Sequence, residues 1–262
     1  MTELLLLLCC GLTAGILTGM IGIGGGLVIV PGLLIILKPL VGPDVLMKVC
    51  VATSLATIPL TAAWAAYHHH RRGNLELSKA RDIGFGVAVG ALLGGLCSPF
   101  FSESALKFGF AVFASYIGLK MYRGRALVST LSASRLMDGS AGAAVGALSG
   151  LIGIGGTIMV PYLLASGMPF LRAAAVSSAV GVVVATFASI GFAISAHTHH
   201  TDIAGALGYV HKHAFFAVTS ASMLGGYVGV RCAHRISAPS LKRCFAVVLL
   251  ISAAKVIVES VF

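Results

Sequence analysis

The segment Gly19-Met20-Ile21-Gly22-Ile23-Gly24-Gly25-Gly26-Leu27-Val28-Ile29-Val30-Pro31 comes back in the second half of the chain as Gly150-Leu151-Ile152-Gly153-Ile154-Gly155-Gly156-Thr157-Ile158-Met159-Val160-Pro161. The second copy is one residue shorter and has Thr157 where a third glycine would fall. Lys48 and Thr53-Ser54 match Arg172 and Ser177-Ser178 at one constant offset. Gly73, Gly90, Gly94 and Leu106-Lys107 match Gly208, Gly225, Gly229 and Leu241-Lys242 at another. Order and spacing both hold, so the chain is an internal duplication.

Composition sets the medium of each copy. The 262 residues are 58 % hydrophobic and 10 % charged, with a mean hydropathy of +1.00. A soluble domain carries roughly a quarter charged residues, and this chain could not cover an aqueous surface. The net charge of +10 comes from 18 Lys and Arg spread over a mostly apolar chain, which does not make a nucleic-acid surface. The class is an all-α polytopic membrane protein.

Hydropathy divides the chain into eight hydrophobic blocks. Six have the length of one crossing: Leu46–Ala66, Ile83–Phe101, Ala105–Tyr122, Ala173–Ala196, Ala214–Val230 and Cys244–Phe262. The other two, Glu3–Leu37 and Gly139–Ser166, contain the repeated glycine segments. At about 1.5 Å per residue against a core of about 30 Å, Glu3–Leu37 is long for one crossing and short for two. A hairpin of two short helices fits both. Arg71, Arg72, Lys79 and Arg81, then Lys120, Arg123, Arg125 and Arg135, then Arg231, Arg235, Lys242 and Arg243 mark three cytoplasmic loops. Between the second and third of these lie two full spans and Gly139–Ser166, so that block must return to its own side as a re-entrant hairpin. Each copy is then a glycine-broken re-entrant hairpin plus three transmembrane helices. The odd number of crossings makes the two copies inverted repeats, residues 1–122 and 139–262, joined by a basic cytoplasmic linker at 123–138. Such repeats place a binding site near the midplane at broken helices. The start, Met1-Thr2-Glu3 before a leucine run, has an acid where a signal peptide needs a positive region, and the N-terminus is expected to be retained.

Gly24, Gly25 and Gly26, with Gly155, Gly156 and Thr157, break the helices and leave backbone groups to be satisfied by protein, water or ligand. They lack the GKS or GKT, preceding strand and acidic ribose partner of nucleotide loops. The stretches after them are expected to be short helices whose N-termini, at the tips, form an anion seat. Thr53, Ser54, Ser177 and Ser178 either bond their own helix backbone or add hydroxyl donors to the substrate. Gly90/Gly94 and Gly225/Gly229, at GxxxG spacing, are read as helix-packing positions. Lys48 and Arg172 each precede a hydroxyl pair by five residues and act either as vestibule cations that attract an anion or as snorkelling anchors. The clusters His68-His69-His70 and His197, His199, His200 with Asp202 read as solvated or pH-sensing groups before a metal site. Cys9, Cys10, Cys50, Cys97, Cys232 and Cys244 form no CxxC pair and read as inert buried thiols. No hydrolytic constellation or membrane-embedded carboxylate stands out, so no enzyme, cofactor or resident metal is expected.

The GxGGG-x4-P segment in each half and the later hydroxyl pair resemble the TauE/SafE sulfite exporters, or toluene sulfonate uptake permeases, over nearly the whole chain. The resemblance implies a multi-pass carrier of the bacterial inner membrane for sulfur-containing anions such as sulfite or organosulfonates. Such anions offer several acceptor oxygens to the two tips. The partners implied are that anion and the lipid bilayer, with no nucleic acid; a homodimer is left open. Rival readings are an anion channel and a divalent-metal (nickel or zinc) permease.

Overall fold

Glycine runs cut both odd blocks into unequal arms. In the computed structural model, which describes residues 2–21, 24–123, 135–198, 205–233 and 235–261, the first block becomes α1 (Thr2–Ile21) and α2 (Gly26–Leu37). The second becomes α6 (Arg135–Ile152), a 3-10 turn (Gly155–Ile158) and α7 (Met159–Ala165). The expectation of two short helices per block is corrected by the leading arms. α1 has 20 residues and rises about 30 Å, enough to cross a bilayer. Only the returning arms are short, because the glycines lie two-thirds of the way along the apolar sequence.

The six full blocks form α3 (Leu46–Arg71), α4 (Leu77–Cys97), α5 (Glu103–Tyr122), α8 (Phe170–Thr198), α9 (Lys212–Ala233) and α10 (Ala238–Val261). Several extend past the apolar stretch into polar ends, where intrahelical bonding continues after the hydropathy has dropped. α1, α3, α8 and the helical stretch Leu77–Phe100 are each long and apolar enough to cross a membrane. A two-residue antiparallel pair, β1 (Ala206–Leu207) and β2 (Val210–His211), precedes α9. Hydropathy did not signal it.

Glycine also decides which helices touch. α1 packs along α9, and α4 along α6. A methyl at Gly11, Gly15 or Gly19 would run into the α9 backbone, and one at Gly225 or Gly229 into that of α1. Gly86, Gly90, Gly94, Gly142, Gly146 and Gly150 make the same close approach between α4 and α6. The expected packing role of the GxxxG pairs is thus met, with small residues admitting backbone to backbone. The sequence matches equate α1 with α6 and α4 with α9, so these two seams correspond. α3 packs on α8 and α5 on α10 through the middle.

Polar contacts gather at two ends. At one, Met47, Lys48 and Glu103 meet, and Glu3 acts electrostatically on His211. At the other, Lys79 meets Asp138, Glu76 meets Arg172, and Arg72 donates to the Val230 carbonyl. All six cysteines are free, but only Cys50 is buried; Cys9 and Cys97 are exposed. The buried-thiol expectation is corrected there, since these apolar helices turn thiols outward as readily as leucines. Gly22, Ile23, Arg125, His199, His200, Asp202 and most of the 123–138 stretch lie outside the described residues.

Candidate functional site

The two glycine tips meet. Gly24 and Gly25 have φ of +69° and +79°, Gly153 and Gly155 have +74° and +60°, a region costly for any residue with a Cβ. A methyl on Gly24 would lie 3.3 Å from Gly156 N and 3.6 Å from Ile58 Cγ2. One on Gly26 would overlap the Gly153 carbonyl, and one on Gly156 the Ser177 carbonyl. Ile58 of α3 fits between the tips, its Cδ1 3.0 Å from the Cβ position of Gly155, and Gly181 of α8 closes the other side against Gly156 N. All of Gly24–Gly26 and Gly155–Thr157 are buried.

The two tips differ in kind. After the first, Gly25 caps a twelve-residue helix, its carbonyl accepting from Val28 N and Ile29 N at 2.9 Å each, which leaves the first N–H groups of α2 without intrahelical acceptors. Ser252 of α10 holds the same turn from behind by donating to the Leu27 carbonyl at 2.6 Å. After the second, the chain passes through the 3-10 turn before the seven-residue α7. The expected helix N-terminus at Thr157 is therefore corrected. Thr157 cannot take the place of Gly26 in an identical turn, and its hydroxyl donates to the Ile154 carbonyl at 2.7 Å.

The four helix hydroxyls, all fully buried, divide. Ser178 donates to the Ala174 carbonyl one turn back at 2.9 Å, the own-helix alternative. Ser177 donates to the Gly156 carbonyl at 2.7 Å and so ties α8 to the second tip. Thr53 Oγ1 accepts from His211 N at 3.0 Å and keeps its own proton to give. Ser54 Oγ has no hydrogen-bond partner among the described residues. In this arrangement the donors left for a ligand lie on α3.

Lys48 and Arg172 are not at the tips. The Lys48 ammonium reaches the Pro99 carbonyl at 3.4 Å, while Met47 N and Lys48 N donate to the Glu103 carboxylate at 2.6 and 3.3 Å. Arg172 pairs with Glu76 at 2.9 Å, the two side chains 54 % and 40 % exposed.

Sequence reasoning missed three features. Asp138, counted with the linker, is buried in the first turn of α6, 2.7 Å from both the Lys79 ammonium and the Tyr162 hydroxyl. It ties α4 and α7 to α6 at this polar end of the bundle. His211 is buried, and its Nδ1 accepts from Ala214 N at 3.3 Å to cap α9. Burial lowers the His211 pKa, with His213 adding to the shift and Glu3 opposing it. A signal existed, since His211 lies as far beyond Gly208 as Glu76 lies beyond Gly73. The third is His68-His69. The His68 ring packs edge-on to Trp64 at 4.8 Å and Tyr227 at 5.4 Å, and His69 is fully buried. His69 is withdrawn from solvent and His68 is half-buried, because α3 remains packed on α9 to its last turns.

Two broken helix pairs meet inside an apolar bundle, and comparison with known proteins says which family builds it. The family described as "Sulfite exporter TauE/SafE" matches residues 7–256. The chain belongs to the TauE/SafE family. A "Probable membrane transporter protein" of Haemophilus influenzae is 30 % identical over 256 residues, covering 96 % of this chain and 97 % of the relative. YunE of Bacillus subtilis, also named a probable membrane transporter protein, is 24 % identical and covers 99 % of both chains. One from Methanocaldococcus jannaschii is 29 % identical over 90 % of this chain and 89 % of its own length. No solved structure matches. This TauE/SafE protein is a multi-pass membrane transporter and not an enzyme.

Proposed function

We propose that the chain is a secondary carrier that exports sulfur-containing anions such as sulfite or organosulfonates across a bacterial inner membrane. The observation that carries this reading is the contact of the two tips at Gly24 and Gly156. The N-terminal N–H groups of α2 at a buried tip favour an anion by up to about 2 kcal/mol. Gly155 and Gly156 supply further backbone donors, and Thr53 and Ser54 supply hydroxyls. Ser177 and Thr157 position the second tip, Ser178 is held by its own helix, and Gly25 and Gly26 shape the first. Glycine is needed because an anion and two backbones must share one small volume.

The repeats, 1–122 and 139–262, are inverted in this proposal, joined by the linker at 123–138. Corresponding seams, α1 with α9 and α4 with α6, support it, as does the sorting of basic residues to one end. Alternating access arises when the tips part toward one face and then the other. Lys48 attracts anions at the outer mouth and Arg172, partly neutralised by Glu76, at the inner. The working unit, single chain or homodimer, does not enter this chemistry.

Purified protein reconstituted in vesicles should carry sulfite with saturable kinetics, and thermal-shift measurements should rank sulfite and sulfonates above chloride and nitrate. Non-saturating flux would make it a channel, and stabilisation by nickel or zinc with no response to anions would make it a metal permease.

A further inference from the structure

We infer that the outer flank of α9 is a built site for one anionic phospholipid. Along a single stripe of this helix lie Ser220, Leu224, Tyr227, Val228 and Arg231, with Arg235 just past its end. Two recesses open on that stripe. One, of about 270 Å³, lies between α1 and α9 and is walled by Leu8, Cys9, Leu12 and Leu224. The other, of about 290 Å³, is lined by Tyr227, Val228, Arg231, Cys232 and Arg235.

The order of chemistry along the stripe is that of a leaflet: apolar groove, aromatic ring, paired guanidiniums. Ser220 to Arg231 is eleven residues of helix, about 16 Å, against about 15 Å for half the hydrocarbon core. An acyl chain can lie in the groove while its phosphodiester reaches the arginines. The Arg231 guanidinium stacks over the Tyr227 ring with its carbon 4.2 Å from the ring centroid, which fixes its plane and leaves its N–H edge for phosphate oxygens. Among the described residues no carboxylate pairs with Arg231 or Arg235. Arg72, the nearby cation, is turned aside to the Val230 carbonyl at 2.7 Å. Two guanidiniums without a carboxylate partner, one of them held by Tyr227, at the head of an apolar groove ask for a negative headgroup carrying its own hydrocarbon. The site lies on the outer flank of α9, beside its seam with α1, and is independent of the transport site.

The test is native mass spectrometry of the full chain in detergent, titrated with phosphatidylglycerol, phosphatidylcholine or inorganic phosphate. Wild type should hold one phosphatidylglycerol more tightly than phosphatidylcholine. Each guanidinium should contribute roughly fivefold to the preference, so R231Q/R235Q should lose roughly twenty-five-fold. R81Q/R123Q, which removes the same charge from exposed positions elsewhere, should keep the preference. Equal binding of the two lipids by wild type, survival of the preference in R231Q/R235Q, or equal loss in R81Q/R123Q overturns the site. So does displacement of the lipid by inorganic phosphate, or lipid found only on dimers, which would make the groove a contact between copies.

Discussion

Gly24→Ala separates the role of the tips in transport from their role in folding. Its methyl would lie 3.3 Å from Gly156 N, 3.6 Å from Ile58 Cγ2 and 3.9 Å from Gly155 Cα, with no overlap under 3.0 Å. The main structural cost is an alanine at φ +69°, about 1–2 kcal/mol. Gly26→Ala and Gly156→Ala would instead push methyls into backbone carbonyls, and their overpacking costs about 3 kcal/mol or more. Gly24→Ala is therefore the variant that stays folded, melting a few degrees lower. Its methyl covers the Gly156 N–H where the anion would sit. If that seat contributes up to about 2 kcal/mol, apparent affinity for sulfite should weaken by up to about thirtyfold. Gly84→Ala, with nothing within 4 Å of its methyl, serves as the neutral control. The assay pairs thermal melts with sulfite flux in vesicles. A Gly24→Ala protein that melts lower yet transports with wild-type affinity would refute the placement of the anion between the tips.

Other expectations concern the polar ends. Asp138→Asn leaves the Lys79 ammonium without its carboxylate and should cost about 3–5 kcal/mol, whereas Tyr162→Phe should cost about 1.5–3; thermal melts of the two variants and of Lys79→Met/Asp138→Leu, which should recover much of the loss, test the linkage. The lowered pKa of His211 means that the unfolded chain binds its proton more readily, so the stability this residue adds is present above pH about 6.5 and declines as pH falls below that value. Melts from pH 8 to 5.5 should show this decline, and His211→Asn should flatten it. Arg172→Gln should weaken apparent affinity only from the inner face and more at low salt, and Glu76→Gln should do the reverse; two-sided flux measurements read both. Cysteines placed at 125 and 235 should react only with reagents admitted to the cytoplasm and one at 199 only from outside, and labelling of 125 and 199 from one side would exclude inverted repeats.

Much of the bundle was legible because glycine carries unusual information in a membrane chain. The same residue type marks the breaks at Gly24–Gly26 and Gly155–Gly156 and the seams at Gly90/Gly94 and Gly225/Gly229, and the duplication separates the two uses. The helix break was readable, but the form of the returning arm was not, since the two segments differ at the tip by Thr157 in place of a glycine and by one missing residue, with only apolar exchanges beyond it. The hydroxyls were readable as a set and not individually. Whether Ser177 faces the tip or its own helix depends on α8 lying against Gly156, a contact between residues 21 apart. Asp138 and His211 escaped because their partners Lys79 and Thr53 are 59 and 158 residues away, and neither distance leaves a local pattern.

The seam between α1 and α9 bears on how the chain is made. α4 meets α6 soon after synthesis, across one further helix and a loop. α1 must wait for about 190 more residues before α9 emerges, some 10–40 s at ordinary translation rates. Throughout that interval the grooved face of Gly11, Gly15 and Gly19 is open to lipid or to any other small-residue helix in the membrane. The protein's assembly therefore begins in the middle of the chain, and its first helix finds its partner only when nine-tenths of the helices have been made.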